Sequence, residues 1–146
     1  MNLENKVVVI SGGASGLGLA TARYLVKKKK AKVALLDMNR EAGLSAVEEL
    51  GDENAIFIAT DVTEENDVDA AISATIQKFG AIHVDINAAG IVAPKKILDK
   101  NGIAGSINNF RNVINVNLVG LYTVMAKCAE KMALNEPANM AMTAGT

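Results

Sequence analysis

The sequence predicts an α/β fold, a doubly wound parallel β-sheet with helices on both faces. Three observations carry this. Short apolar runs rich in Val, Ile and Leu alternate with longer stretches of helical periodicity. That alternation gives successive βα units with right-handed crossovers, hence a parallel sheet. Hydrophobic residues make up 50% of the chain but aromatic ones only 3%, so the core is mainly aliphatic. Strands buried on both faces need that composition. Finally, the first apolar run breaks into a small-residue turn, and a helical pattern starts directly behind it. A length of 146 residues suits one domain, 1–146.

The elements follow in order. Residues 6–11 read as the first strand. A helix is expected from Gly16 to about Lys29, with Leu17, Ala20, Tyr24 and Leu25 near one face. The lysine run 27–30 falls at its end, where cations suit the helix dipole. Residues 32–37 form a second buried strand ending in an acid. A helix over 40–50 is closed by Gly51. Residues 55–60 form the third strand. Thr63 is expected to cap the next helix, which presents Val68, Ala71, Ile72, Thr75, Ile76 and Phe79 to the core and ends at Gly80. Residues 83–87 are a short fourth strand, and a long loop follows. A helix over 108–134 is stopped by Pro137, and 139–146 is a candidate fifth strand.

The turn after the first strand reads Ser11-Gly12-Gly13-Ala14-Ser15-Gly16-Leu17-Gly18. Glycines let the backbone take φ > 0 and come close to a ligand. The first amides of the helix behind it are unpaired, and its dipole favours an anion. The pattern therefore marks a phosphate site in a Rossmann-type fold, or else a tight strand-to-helix connection. Asp37 ends the second strand 19 residues past Gly18 (37 − 18). An acid placed there holds adenine-ribose hydroxyls and repels a 2′-phosphate, which predicts NAD over NADP. Arg40 argues the other way, and helix capping is the alternative role for Asp37. Asp61 and Val62 follow the third strand, at the carboxyl edge where such sheets bind ligands. Asn87, Ala88, Ala89 and Gly90 end the fourth strand in small side chains that would leave room for a cofactor, or for a tight turn.

Other classes lose support. A net charge of −1 with mixed signs gives no footprint for nucleic acid. No apolar run reaches the ~20 residues of a membrane span. The polar start, residues 1–6, carries no secretory signal, so a cytoplasmic, reducing location is expected. Cys128 is the single cysteine and is expected to be a buried thiol. His83 is the single histidine, so no metal cluster and no Ser-His-Asp system is expected. The helix over 108–134 is apolar on more than one face: Ile114, Leu118, Leu121 and Met125, but also Val113, Val116, Val124 and Met132. One sheet face covers one stripe, so the remainder is expected to pack against another subunit, the alternative being that C-terminal segments missing here cover it.

Residues 11–18, Asp37, Asp61-Val62, 87–90 and Val116-Asn117-Leu118 occur in the order and rough spacing of the short-chain dehydrogenase/reductase family, which the chain resembles over nearly its whole length. Ser11 replaces a Thr of that family's glycine motif, and Ala88 replaces an Asn of its Asn-Asn-Ala-Gly motif. Residues 36–39, 83–86, 113–118 and 135–137 are most similar to the type-2 3-hydroxyacyl-CoA dehydrogenase branch. The resemblance implies an NAD-dependent oxidoreductase acting on an alcohol/ketone pair, with 3-hydroxyacyl-CoA as the candidate small-molecule substrate. It also implies cofactor roles for Gly12, Ser15, Gly16, Leu17, Gly18, Asp37, Asp61, Val62, Asn87, Ala88, Ala89 and Gly90. Asn117 would be the catalytic-tetrad Asn, set in a locally distorted helix where it helps organise a proton-relay water.

The chain departs from that family in one important way. The C-terminal part that should hold a Ser and a Tyr-x-x-x-Lys pair is missing from this sequence. Tyr24 and Lys28 match the spacing, but on the first helix, where no substrate carbonyl could stand. Tyr122 has Ala126 four residues on. Lys95, Lys96 and Lys100 lie in the loop after the fourth strand, which could reach the cleft and supply a substitute acid. The fourth strand is shorter than the family's, and Lys30 stands where a Gly is usual. The alternative reading is therefore a non-catalytic dinucleotide-binding fragment or interaction module.

Overall fold

The computed structural model describes residues 2–137. Strand β1 (Val7–Ser11) is buried along its whole length, so it needs neighbours on both edges and both faces. Its edges pair in parallel with β2 (Lys32–Asp37) and β4 (Val84–Asn87), and β3 (Ala55–Ala59) extends the sheet beyond β2. The order is β3-β2-β1-β4. The chain winds outward from β1 to β3 and then crosses back to β4 on the other side of β1. The reversal between β1 and β4 opens a crevice at their carboxyl ends.

The helices are α1 (Gly16–Lys29), α2 (Arg40–Leu50), α3 (Glu65–Phe79), α4 (Ile107–Ile114) and α5 (Leu121–Met132), with a π-helical segment Asn115–Gly120 joining the last two. Strand alternation sorts the core into two layers. Val8, Ile10, Val33 and Leu35 meet Ala22 and Leu25 of α1 and Ala46 and Leu50 of α2. Val9, Ala34 and Leu36 meet Val68, Ala71 and Ile72 of α3 and Val124 and Cys128 of α5. Helices thus cover both faces, as the sequence predicts. Cys128 is a buried free thiol.

Several local expectations are corrected. On α1 only Leu25 of the expected stripe is buried. Leu17 is 84% exposed and Tyr24 53%, and the buried stripe is Gly18, Ala22 and Leu25. The helix lies so close to the β1 turn that a Cβ on Gly18 would overlap the Gly12 carbonyl oxygen. Only small residues fit, which rotates the larger ones outward. Thr63 does not cap α3. Its hydroxyl and N–H both donate to Asp61 Oδ1, at 2.7 and 2.9 Å, and the N-cap is Glu64, without a side-chain bond. The local Asx turn outcompetes the cap for Thr63. Strand ends shift by one residue: β1 starts at Val7, β3 stops at Ala59 and β4 starts at Val84. The long helix runs over 107–132 and changes register in its π segment. The candidate strand 139–146, with Gly145 and Thr146, lies outside the described residues.

His83 closes the amino end of the β1–β4 pairing. Its N–H donates to the Val7 carbonyl at 2.9 Å, and its Nδ1 accepts the Val7 N–H at 3.0 Å. Nδ1 must be unprotonated to accept. Burial, helped by the nearby Lys6 charge, lowers the imidazole pKa below its ordinary value. A His pKa lowered by folding contributes stability that is complete above the unfolded value of about 6.5. It is lost as pH falls through the lowered folded value. Thermal melts should therefore show His83→Ala less stable than wild type by about 1 kcal/mol at neutral pH, with the gap closing towards acid. A gap that stays constant or widens on acidification contradicts this role.

Candidate functional site

The crevice holds a cleft of about 390 Å³ at the carboxyl edge of the sheet. Gly12 begins it, at φ +67°, with its N–H donating to the Leu36 carbonyl at 2.8 Å. A Cβ on Gly12 would stand 2.7 Å from the Ala89 nitrogen and 2.8 Å from the Ala88 oxygen. The turns after β1 and β4 are therefore packed backbone to backbone. Gly16 is also left-handed, at φ +52°, and a Cβ there would meet nothing within 4 Å. It would project into open space in front of the helix.

The start of α1 is open. Its N-cap Ser15 makes no side-chain cap bond and its first turn holds no acid. The first N–H groups of a helix have no intrahelical acceptor, so those of Gly16, Leu17 and Gly18 remain free to bind an anion. Contrast α2 and α4. Asn39 Oδ1 accepts the Ala42 N–H at 3.0 Å, and Ser106 Oγ accepts the Asn109 N–H at 3.2 Å.

Asp37 lies half-buried at the cleft wall. Its Oδ2 accepts the Ala14 N–H at 3.1 Å and its Oδ1 the Asn39 N–H at 3.0 Å. These two bonds fix the carboxylate and leave further lone pairs on both oxygens. Asn39, not Asp37, supplies the α2 cap. Arg40 is exposed and does not line the cleft. Asp61 and Val62 line it, but the Asp61 carboxylate is engaged by Thr63. Val62 also stands against Gly120, where a Cβ would come within 2.6 Å of Val62 Cγ2.

Of the expected cofactor residues, Gly12, Ser15, Gly16, Leu17, Gly18, Asp37, Asp61, Val62, Ala88, Ala89 and Gly90 all line this cleft. Asn87 does not. Its amide turns into the sheet, where Oδ1 accepts the Ser11 hydroxyl at 3.1 Å and Nδ2 donates to Asp85 Oδ2. Its work is to hold the turn. Leu36, Met38, Thr60, Ile91 and Val116 also line the cleft. All but Val116 are chain neighbours of expected site residues at strand ends, so the strand assignments alone could have indicated them.

Asn117 sits in the π segment, the local distortion that the resemblance implied. Its amide makes a reciprocal pair with Ile91: Oδ1 accepts the Ile91 N–H at 2.8 Å, and Nδ2 donates to the Ile91 carbonyl at 2.9 Å. It faces a second cavity, of about 520 Å³, beneath the 91–97 loop and α4. Ile91 borders both spaces. Lys95 and Lys96 line the second cavity, whereas Lys100 does not. Tyr24 is exposed on α1 beside Lys29, whose Nζ lies 5.6 Å from its ring centre; neither it nor Lys28 lines either space.

The two left-handed or tightly packed glycines should separate on substitution. Gly18→Ala places a methyl against a backbone oxygen that cannot move aside. It should cost several kcal/mol, beyond the usual 1–3 of overpacking. Gly16→Ala meets no atom and should cost only the ~1–2 kcal/mol of a left-handed alanine, yet fill the space before the free amides. Calorimetry should find Gly16→Ala folded but unable to bind a dinucleotide. A Gly16→Ala protein that binds as wild type contradicts the site.

Comparison with known proteins follows this geometry. The family described as short chain dehydrogenase matches residues 6–144. A 3-hydroxyacyl-CoA dehydrogenase type-2 of Drosophila melanogaster is 40% identical over 136 residues, 92% of this chain and 52% of the relative. The solved structure of a 3-hydroxyacyl-CoA dehydrogenase type-2 from Mycobacterium avium superposes with a TM-score of 0.86 at 33% identity, covering 94% of this chain and 52% of that one. A 3-ketoacyl-(acyl-carrier-protein) reductase from Brucella melitensis, complexed with NADH, gives a TM-score of 0.78 at 32% identity, covering 88% and 51%. The chain spans about half the length of the curated relatives it matches. It belongs to the short-chain dehydrogenase family and resembles the type-2 3-hydroxyacyl-CoA dehydrogenases within it.

Proposed function

We propose that the full protein is an NAD-dependent oxidoreductase interconverting a secondary alcohol and a ketone, with 3-hydroxyacyl-CoA and 3-oxoacyl-CoA as the pair, and that residues 1–146 hold the cofactor. The observation that carries this is Asp37, fixed by two backbone N–H bonds at the wall of a glycine-edged cleft. When bound, the nicotinamide supplies the hydride acceptor or donor. The free amides of Gly16, Leu17 and Gly18 would hold the pyrophosphate, and Asp37 the adenine ribose. The backbone at Asp61 and Val62 would meet the adenine, and the 88–90 turn the nicotinamide side. Asn117 would act beside them by fixing Ile91 between the two cavities. Calorimetric titration of the folded protein should show NAD bound and NADP bound at least tenfold more weakly, about 1.4 kcal/mol. Tighter NADP binding contradicts the role of Asp37.

Hydride transfer also needs a proton on the substrate oxygen, and general acid help is typically worth 10²–10⁴-fold. Neither Tyr24 nor Tyr122 lines either cavity. The 146-residue polypeptide is therefore expected to bind NADH without useful turnover of acetoacetyl-CoA, while the full reading frame turns it over. Turnover by the short polypeptide that survives Tyr24→Phe would point instead to Lys95 or Lys96. An intact mass of the natural protein no greater than 15.3 kDa would favour the non-catalytic module.

An apolar stripe supports assembly. Ile107, Phe110, Leu118 and Tyr122 are each at least 60% exposed along α4, the π segment and α5. Val124 is buried, and Val116 and Met132 pack on the core. We propose that the exposed stripe packs on a second subunit in a homodimer or homotetramer. Light scattering of the full-length protein should give one of these states, and a monomer at micromolar concentration contradicts the interface.

A further inference from the structure

Asp85 lies in the middle of β4, opposite Val9 of β1. Among the described residues, its Oδ1 is the only buried side-chain polar atom without a hydrogen-bond partner. The other oxygen heads a relay. Asp85 Oδ2 accepts from Asn87 Nδ2, Asn87 Oδ1 accepts the Ser11 hydroxyl at 3.1 Å, and Ser11 Oγ accepts the Ala89 N–H at 3.4 Å. In this arrangement the Ala89 N–H donates to Ser11, the Ser11 hydroxyl donates to Asn87, and the Asn87 NH₂ faces Asp85. Oδ2 is then an acceptor, which leaves Oδ1 to carry a proton on Asp85.

Among the described residues, no cation stands beside the Asp85 carboxylate to balance a charge. Cys128 of α5 is its thiol neighbour, a weak donor and a weak acceptor. Burial pushes that thiol far up, and Asp85 adds to the effect, so it stays S–H. Strand β1 brings no charged side chain. On α5, Lys127 is held by Glu65 and Asp69, and Lys131 by Glu130. On β4 itself, His83 is occupied by Val7. A neutral acid can point its proton at Cys128. An ionised one leaves a charged oxygen buried with only the weak thiol donor of Cys128 beside it, a state relieved by local opening.

We propose that Asp85 is a positioning residue: in its protonated form it anchors the Asn87–Ser11–Ala89 relay that shapes the nicotinamide side of the cleft, and its ionisation loosens that turn. The inference rests on the reading of the cleft as a cofactor site. Burial raises the Asp85 carboxyl above its ordinary value, against the opposing bond from Asn87. A carboxyl raised by folding stabilises the fold below its unfolded value, and that stability is lost as pH rises through the folded value. The order of the turn, and with it cofactor affinity, should weaken in the same direction.

The test compares wild type, Asp85→Asn and Asp85→Ala in the full-length protein between about pH 5 and pH 9. Asp85→Asn keeps the acceptor for Asn87 and stays neutral; Asp85→Ala is neutral but removes the acceptor. The NADH dissociation constant of wild type, divided by that of Asp85→Asn, should be near one in acid and rise at least about threefold towards alkali. Asp85→Ala should bind more weakly than Asp85→Asn throughout, with no rise of its own relative to it. A ratio that stays flat, or Ala and Asn variants that bind alike, overturns the proposal. Hydrogen exchange across residues 87–91 without ligand gives a second reading, each pH compared between variants so that intrinsic rates cancel. Exchange faster in wild type than in Asp85→Asn only at high pH supports the role, and a constant ratio overturns it. If folded protein binds no NADH at any pH, the cofactor reading fails, and the exchange ratio alone decides the role of Asp85.

Discussion

The backbone contact between Gly12 and the Ala88–Ala89 peptide is the constraint on which the rest depends. Two strands that are neighbours in the sheet but far apart in the chain end in turns that touch without side chains between them. Any Cβ on residue 12 would push the turns apart. Close contact here forces Gly18 against the Gly12 carbonyl, and that draws the start of α1 down to the sheet edge. The small buried stripe of α1 follows from this. So does the outward rotation of Leu17 and Tyr24.

The same contact sets the electrostatics. A helix start held at the mouth of a crevice, with no capping side chain, leaves its donors and its dipole facing the cleft. Asp37 sits across from it at the end of β2, its geometry fixed by Ala14 of the same turn. The open donors of the helix start and the Asp37 acceptor are thus positioned by one short piece of backbone. On the other flank, Asn117 ties the π segment to Ile91. One residue then borders both the glycine-edged cleft and the apolar cavity under α4.

Much of this was legible in the residues. The apolar runs gave four strands, and the glycines and Asp37 gave the cleft, because strand ends and left-handed turns leave strong local signals. The C-terminal limit of the helix at Pro137 was less sharp, since the helix stops at Met132. The core face of α1 was misread because periodicity favours large apolar residues, whereas close packing selected Gly18 and Ala22. Thr63 was misread because an Asx turn and a helix cap use the same residue types. Asn87 was assigned to the cleft on its position, yet its amide faces Ser11 and Asp85. Such pairings join residues up to 76 apart in the chain, and no local pattern encodes them. The burial of Asp85 Oδ1 is of the same kind, since it depends on neighbours distant in the chain.

The central claim is that the β1–α1 turn and Asp37 together hold a dinucleotide. A crystal structure of the full-length protein grown with NAD tests it most directly. The account predicts the pyrophosphate against the amides of Gly16 to Gly18, and the adenine ribose hydroxyls within hydrogen-bond distance of the Asp37 carboxylate. A dinucleotide seated in the cavity under the 91–97 loop, or a ribose that leaves Asp37 bonded only to Ala14 and Asn39, would contradict it.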